Sequence, residues 1–159
     1  MARDPIPPID KQLRVRASKE RAFRFFTTNS IRWWPPTYTI GNSPMKEIVL
    51  EPHVGGRWYE IGEDGTECQW GDVLAWDPPN GLTLAWRINL EWVFDPALLT
   101  EIAISFTDVG NGETEVRIVH SKFENLGERA PEALQIFDGW SSVLVRFKDL
   151  LEAQEGKPV

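Results

Sequence analysis

Residues 51–86 read EPHVGGRWYEIGEDGTECQWGDVLAWDPPNGLTLAW. Runs of strand length are cut by glycine and proline, the residues that most strongly punctuate local structure. The spacing predicts strands over 57–61 and 66–76, joined by a hairpin turn at Glu63-Asp64-Gly65. A second turn at Asp77-Pro78-Pro79-Asn80-Gly81 leads into Leu82, Leu84, Trp86 and Ile88, which alternate with Thr83, Ala85 and Arg87. Trp58, Trp70, Trp76 and Trp86 fall inside this block and Trp92 just beyond it, out of eight tryptophans in the chain. Within the 66–76 strand, Trp70 and Trp76 share a phase, but Gly71 marks a place where a bulge would switch it, so their faces stay open.

Working outward, a strand over 46–51 precedes the block. Ile102, Ile104 and Phe106 alternate after it, and Thr114, Val116, Ile118 and His120 share one face of a further strand. At the start, Leu13, Val15 and Ala17 alternate with Gln12, Arg14 and Arg16. Ser18 reads as the N-cap of a short helix carrying Ala22, Phe23, Phe25 and Phe26. A second helical piece with Ile31, Trp33 and Trp34 is stopped by Pro35-Pro36, since proline lacks the donor and restricts the residue before it. Trp33 and Trp34 diverge by roughly 100° on a helix, which puts one inside and the other at a cavity mouth or on the surface. From Pro131 the period changes to helical: Leu134, Phe137, Trp140, Val143, Leu144, Phe147, Leu150 and Leu151 predict one long amphipathic helix, ended by Gly156 and Pro158.

Composition bounds the function. The chain has 159 residues, 42% hydrophobic, enough for one domain with a substantial core. We read residues 1–9, with Pro5, Pro7 and Pro8, as an extended arm and 10–155 as a single domain. The net charge of −7 argues against nucleic acid and against an anionic membrane surface as partners. One cysteine, Cys68, excludes an internal disulfide and fits a reducing compartment, so a cytoplasmic location is expected. The order of elements gives an α+β fold: a curved antiparallel sheet of about six or seven strands wrapped on a long C-terminal helix, with two short helices after the first strand. One helix cannot fill such a sheet everywhere, and the space left over suits a small apolar molecule.

AFRFFTTNSIRWWPP at 22–36, VLEPHVGGRWYE at 49–60, WGDVLAWDPPNGLTLAW at 70–86, TEVRIVHSKFENLG at 114–127 and GWSSVLVRFKDLLE at 139–152 carry a family likeness. Together they resemble the helix-grip fold of the START and birch-pollen-allergen (SRPBCC) superfamily, in the branch related to the activator of the heat-shock-protein-90 ATPase. The resemblance implies a hydrophobic cavity. The branch is functionally mixed, and the superfamily includes lipid carriers, hormone receptors and polyketide cyclases. True co-chaperones of the branch usually carry an additional N-terminal domain, for which this chain has no room, so a chaperone partner is the weaker expectation.

No nucleophile elbow, phosphate loop or HExxH motif is present, and no catalytic residue is assigned. Gly55-Gly56 precedes a strand and reads as a tight turn. Two histidines and one cysteine on separate elements do not make a metal set, so neither metal nor cofactor is expected. His53 reads as a surface residue. His120 faces inward, either as a polar anchor or general base for a ligand, or as a core histidine with satisfied hydrogen bonds. With it, Trp34, Trp70, Trp86, Phe137 and Trp140 form the candidate ligand-binding set, against the alternative that each is ordinary core. Cys68 reads as a small buried hydrophobe, and Glu60, Glu67 and Arg87 as a solvated cross-strand group. The leading reading is a binding protein for a hydrophobic or aromatic small molecule. The alternatives are a cyclase- or hydrolase-type enzyme using the same cavity, and an interaction module acting on a chaperone or another protein. Homodimerisation through an edge strand or a tryptophan patch is left open.

Overall fold

A computed structural model describes residues 6–153; residues 1–5 of the expected arm, and Gly156 and Pro158, lie outside the described residues. The elements in chain order are β1 (Ile9–Val15), α1 (Lys19–Thr28), α2 (Ser30–Trp33), β2 (Met45–Leu50), β3 (Arg57–Gly62) and β4 (Glu67–Asp77). They continue with β5 (Gly81–Trp86), β6 (Thr100–Gly110), β7 (Glu113–Ser121), a 3-10 segment (Phe123–Glu132), α3 (Ala133–Ile136) and α4 (Trp140–Glu152). The seven strands form one sheet in the order β1-β7-β6-β5-β4-β3-β2. Every neighbouring pair is antiparallel. This is the helix-grip architecture expected from the order of elements.

The two edge strands, β1 and β2, are consecutive in the chain. The segment between them therefore crosses the whole concave face of the sheet. It carries Phe23, Phe25, Phe26, Trp33 and Trp34 into the core. Ser18 accepts from the Arg21 amide and caps α1. Trp33 and Trp34 do not divide between inside and outside: both are buried. The helical spacing rule fails there because α2 ends at Trp33, and Trp34 already has extended dihedrals. Their indoles donate to the Phe25 and Tyr38 carbonyls, at 3.0 and 2.8 Å.

The phase of β4 is set by two irregularities. Its pairing with β3 jumps from Gly71 to Gln69, and its pairing with β5 jumps from Val73 to Ala75. Each leaves one extra residue in β4, and together they return Trp70 and Trp76 to the same side. Trp70 meets Trp34 at 5.1 Å and Trp76 meets Phe23 at 5.3 Å, so both lie against the crossing helices. Gly71 is required at the first irregularity: a Cβ there would run into the Ala85 carbonyl oxygen on β5.

The apolar period expected to form one helix from Pro131 is split into the 3-10 segment, α3 and α4. The interruption is at Phe137–Gly139, where Gly139 lies directly under the Tyr38 side chain and a Cβ would strike its hydroxyl. The break turns Phe137 toward the sheet, where it stacks on His120 at 5.3 Å.

Gly71→Ala is expected to cost about 2–3 kcal/mol of stability or more, because backbone rather than a flexible side chain meets the new atom. Urea denaturation monitored by circular dichroism measures it. A loss below about 0.5 kcal/mol would contradict the close approach of β4 and β5.

Candidate functional site

Under the crossing segment is a hollow walled by rings. Trp86 on β5, His120 on β7, Trp34 after α2, and Phe137 and Trp140 around the break before α4 surround it, and Tyr38 and Trp92 form its mouth. Its free volume is about 30 Å3, room for one or two waters. A second, smaller void of about 10 Å3 lies between Phe26, Trp33, Trp58 and Leu84. Trp34 and Trp140 line both and meet edge to face at 5.8 Å, forming the partition between them.

Of the six residues singled out in the sequence, five line the first hollow: Trp34, Trp86, His120, Phe137 and Trp140. Trp70 lies behind the wall, packed on Trp34, Trp58 and Trp86. Tyr38 and Trp92 were missed because both stand in connecting segments with no apolar period. Trp92 adopts a positive φ of 61°, uncommon for so bulky a residue. The Asn89 side chain holds that turn by accepting from the Glu91 and Val93 amides. The run from Asn89, a turn-forming residue, to Trp92 was the available signal. The Tyr38 and Trp92 rings stack, 6.0 Å apart and 13° from parallel.

A chain of hydrogen bonds runs through the apolar wall. The Trp140 indole Nε1 donates to His120 Nδ1 at 3.2 Å. Indole only donates, so Nδ1 is the acceptor and the ring proton belongs on Nε2. Nε2 lies 2.9 Å from Thr100 Oγ1, which donates in turn to the Trp86 carbonyl at 2.9 Å. His120 is fully buried and both of its nitrogens are engaged. Burial pushes its pKa down to about 3, so the ring is neutral at ordinary pH.

Glu60 is not part of a solvated cross-strand group; it is buried. Its carboxylate accepts from the Thr39 hydroxyl at 2.5 Å, the Ile40 amide at 2.8 Å and Trp70 Nε1 at 2.9 Å. Those bonds tie the segment bearing Tyr38 to β3 and β4. The other two members of the expected group pair elsewhere: Arg87 with Asp72 at 2.6 Å, and Glu67 with Arg57 at 3.3 Å. Burial, and after it the nearby Glu60 charge, raises the Cys68 thiol above its usual range, which opposes a nucleophilic role. His53 is exposed. Among the described residues no carboxylate lines the first hollow. Among the described residues no cluster of three His, Cys, Asp or Glu is placed to hold a metal ion. No described helix is long and apolar enough to cross a membrane.

Comparison with known proteins places this geometry among relatives. A family described as Activator of Hsp90 ATPase homolog 1-like protein matches residues 16–152. The anthrahydroquino-gamma-pyrone synthase Txn09, solved in a complex, is 37% identical, with 92% of this chain and 97% of that chain aligned at a TM-score of 0.65. CalC from Micromonospora echinospora, described as a self-sacrificing resistance protein, is 29% identical over 96% of this chain and 99% of that chain, TM-score 0.71. The Aha1 dimer from Colwellia psychrerythraea is 22% identical over 94% of this chain and 98% of that chain, TM-score 0.63, a likeness of fold. No curated protein sequence matches the chain.

Two outcomes test the wall. Because His120 is neutral when folded and takes a proton below about pH 6.5 when unfolded, the unfolded chain binds more protons in acid. Stability is therefore fully present above pH 6.5 and falls as pH drops toward 3, by about 1.4 kcal/mol per unit. In His120→Gln that slope should vanish between pH 6.5 and 5; urea midpoints that retain it would assign the dependence elsewhere. Glu60→Gln leaves one uncharged oxygen for the Ile40 and Trp70 donors and turns an amide N–H toward the Thr39 hydroxyl, and should cost about 1–3 kcal/mol while speeding hydrogen exchange at the Ile40 amide. Unchanged exchange there would show that the tether is unimportant.

Proposed function

The chain belongs to the Activator of Hsp90 ATPase homolog 1-like family, and on that premise we propose that it binds a planar aromatic small molecule in the ring-walled hollow. The observation that carries this is the wall itself: Trp34, Trp86, Phe137 and Trp140 inside, with Tyr38 and Trp92 stacked at the mouth. Flat rings slide between edge-to-face neighbours with little loss of rotamer freedom, and each aromatic contact adds to simple area burial. The free space inside the hollow is only about 30 Å3, so a fused-ring ligand enters by parting the rings that wall it, the half-buried Tyr38 and Trp92 among them. Extension into the second void requires the Trp34 and Trp140 rings to part. The relationship to Txn09, whose description names a fused-ring pyrone product, supports the same class of ligand.

A synthase or cyclase activity is the second reading, favoured by the 37% identity to Txn09. Acid–base chemistry needs two convergent ionisable groups. His120 is held neutral by burial and bonded at both nitrogens, with no carboxylate among the described lining residues. Catalysis here would rest on folding a flexible substrate into shape and excluding water from it. An interaction module is less supported: the exposed large apolar residues, Val54, Val93 and Val145, stand on three separate segments.

Equilibrium dialysis against acridine and against myristate separates the classes. Acridine should bind, and Phe137→Ala should weaken it roughly tenfold, the loss of one well-packed ring contact. Binding of myristate in preference to acridine would replace the aromatic reading with a lipid-carrier one.

A further inference from the structure

The buried hydrogen-bonding inventory of the wall does not balance. Among the described residues, Trp86 Nε1 is the one buried side-chain nitrogen or oxygen without a hydrogen-bond partner. Trp86 itself is 3% exposed and lines the first hollow. An unmet buried donor is rare and costly, so its presence in a cavity wall asks for a partner that arrives later.

None of the described side chains that line the hollow bonds to Trp86 Nε1, the Tyr38 hydroxyl included. The surrounding indoles of Trp34, Trp92 and Trp140 only donate. The acceptor nitrogen of His120 already takes the Trp140 proton, and its other nitrogen is the donor to Thr100. The Glu60 carboxylate is occupied by Thr39, Ile40 and Trp70. The Trp86 carbonyl is likewise taken, by the Thr100 hydroxyl. Among the described lining side chains the Tyr38 hydroxyl can still accept, but it makes no bond to Trp86, so a ligand that brings an acceptor of its own complements the wall.

We infer that Trp86 Nε1 is the specificity-determining donor of this site, and that the ligand presents to it a ring carbonyl or an equivalent aromatic oxygen acceptor. The inference rests on the aromatic-binding reading above and sharpens it from any flat hydrocarbon to an oxygenated one. The indole places one donor in a low-dielectric, largely dry wall, where a single neutral hydrogen bond discriminates between ligands of the same shape.

A matched pair tests it: 9-fluorenone and fluorene are both flat three-ring molecules and differ by one carbonyl oxygen. The intact protein is titrated into dilute ligand, with the 15N-labelled indole resonances recorded in parallel. Fluorenone should bind about tenfold tighter than fluorene, and the Trp86 Nε1–H peak should move downfield with fluorenone alone. The peak is identified by its absence from Trp86→Phe, in which the preference should shrink to within about twofold while fluorene binding persists. Equal affinities, or equal shifts with both compounds, overturn the inference and leave the aromatic-binding reading standing. Failure of both compounds to bind overturns the reading and the inference together. Because the ligand pair is compared on the unaltered protein, the test holds even if Trp86→Phe folds poorly.

Discussion

The thread from Trp140 through His120 and Thr100 to the Trp86 carbonyl joins α4, β7, β6 and β5 through the middle of an apolar wall. A donor-only indole at one end gives the thread its direction, and that direction fixes the imidazole tautomer. The rings around it then have defined positions: Phe137 stacks on His120, and Trp86 and Trp140 stand edge to face against it. A buried polar network is worth having only when every member is satisfied, and each link of this one is. The unpartnered Trp86 indole stands apart because it faces a problem that the thread does not address.

The Glu60 carboxylate plays a matching part behind the wall, where it holds Trp70. It gathers two donors from the crossing segment and one from β4, and so converts a loop between two edge strands into part of the wall. A buried carboxylate is tolerated because its lone pairs are filled by oriented donors instead of water. Tyr38 then lies over Gly139, and the break in the C-terminal helical run follows from that contact. Two polar anchors thus hold the wall: a neutral imidazole that lines the hollow, and a carboxylate behind it that ties down the segment bearing Tyr38.

Much of this fold was legible in the residues. Two-residue alternation gave the strands, Ser18 gave the start of α1, and the three-and-four spacing after Pro131 gave the helix that closes the sheet. The inward phase of Trp86 and His120, and the apolar face holding Phe137 and Trp140, brought together most of the candidate set. What escaped was set by contacts distant in the chain. The phase of Trp70 and Trp76 depends on two bulges that cancel, and only the Gly71 approach to Ala85 hints at one of them. Glu60 reads as solvent-facing because its partners lie about twenty residues away in sequence. Tyr38 and Trp92 sit where no period exists to flag them. The break at Gly139 needed knowledge of Tyr38 above it.

The order of strands in the sheet has a consequence for how the molecule is made. β1 has one neighbour, β7, and Ile9 pairs directly with His120; the Asp10–Arg117 bonds beside them span 107 positions of chain. During synthesis β1 leaves the ribosome with no sheet partner until β7 has emerged. Closing so long a loop is entropically slow, although the cost grows only logarithmically with length. The strands from β2 to β5 pair with neighbours in sequence, while β7 and the helical run around Phe137 and Trp140 follow later in the chain. The ring-walled hollow thus joins parts that lie far apart in the chain, from Trp34 to Val143, and exists only once the two edges of the sheet have been brought into place.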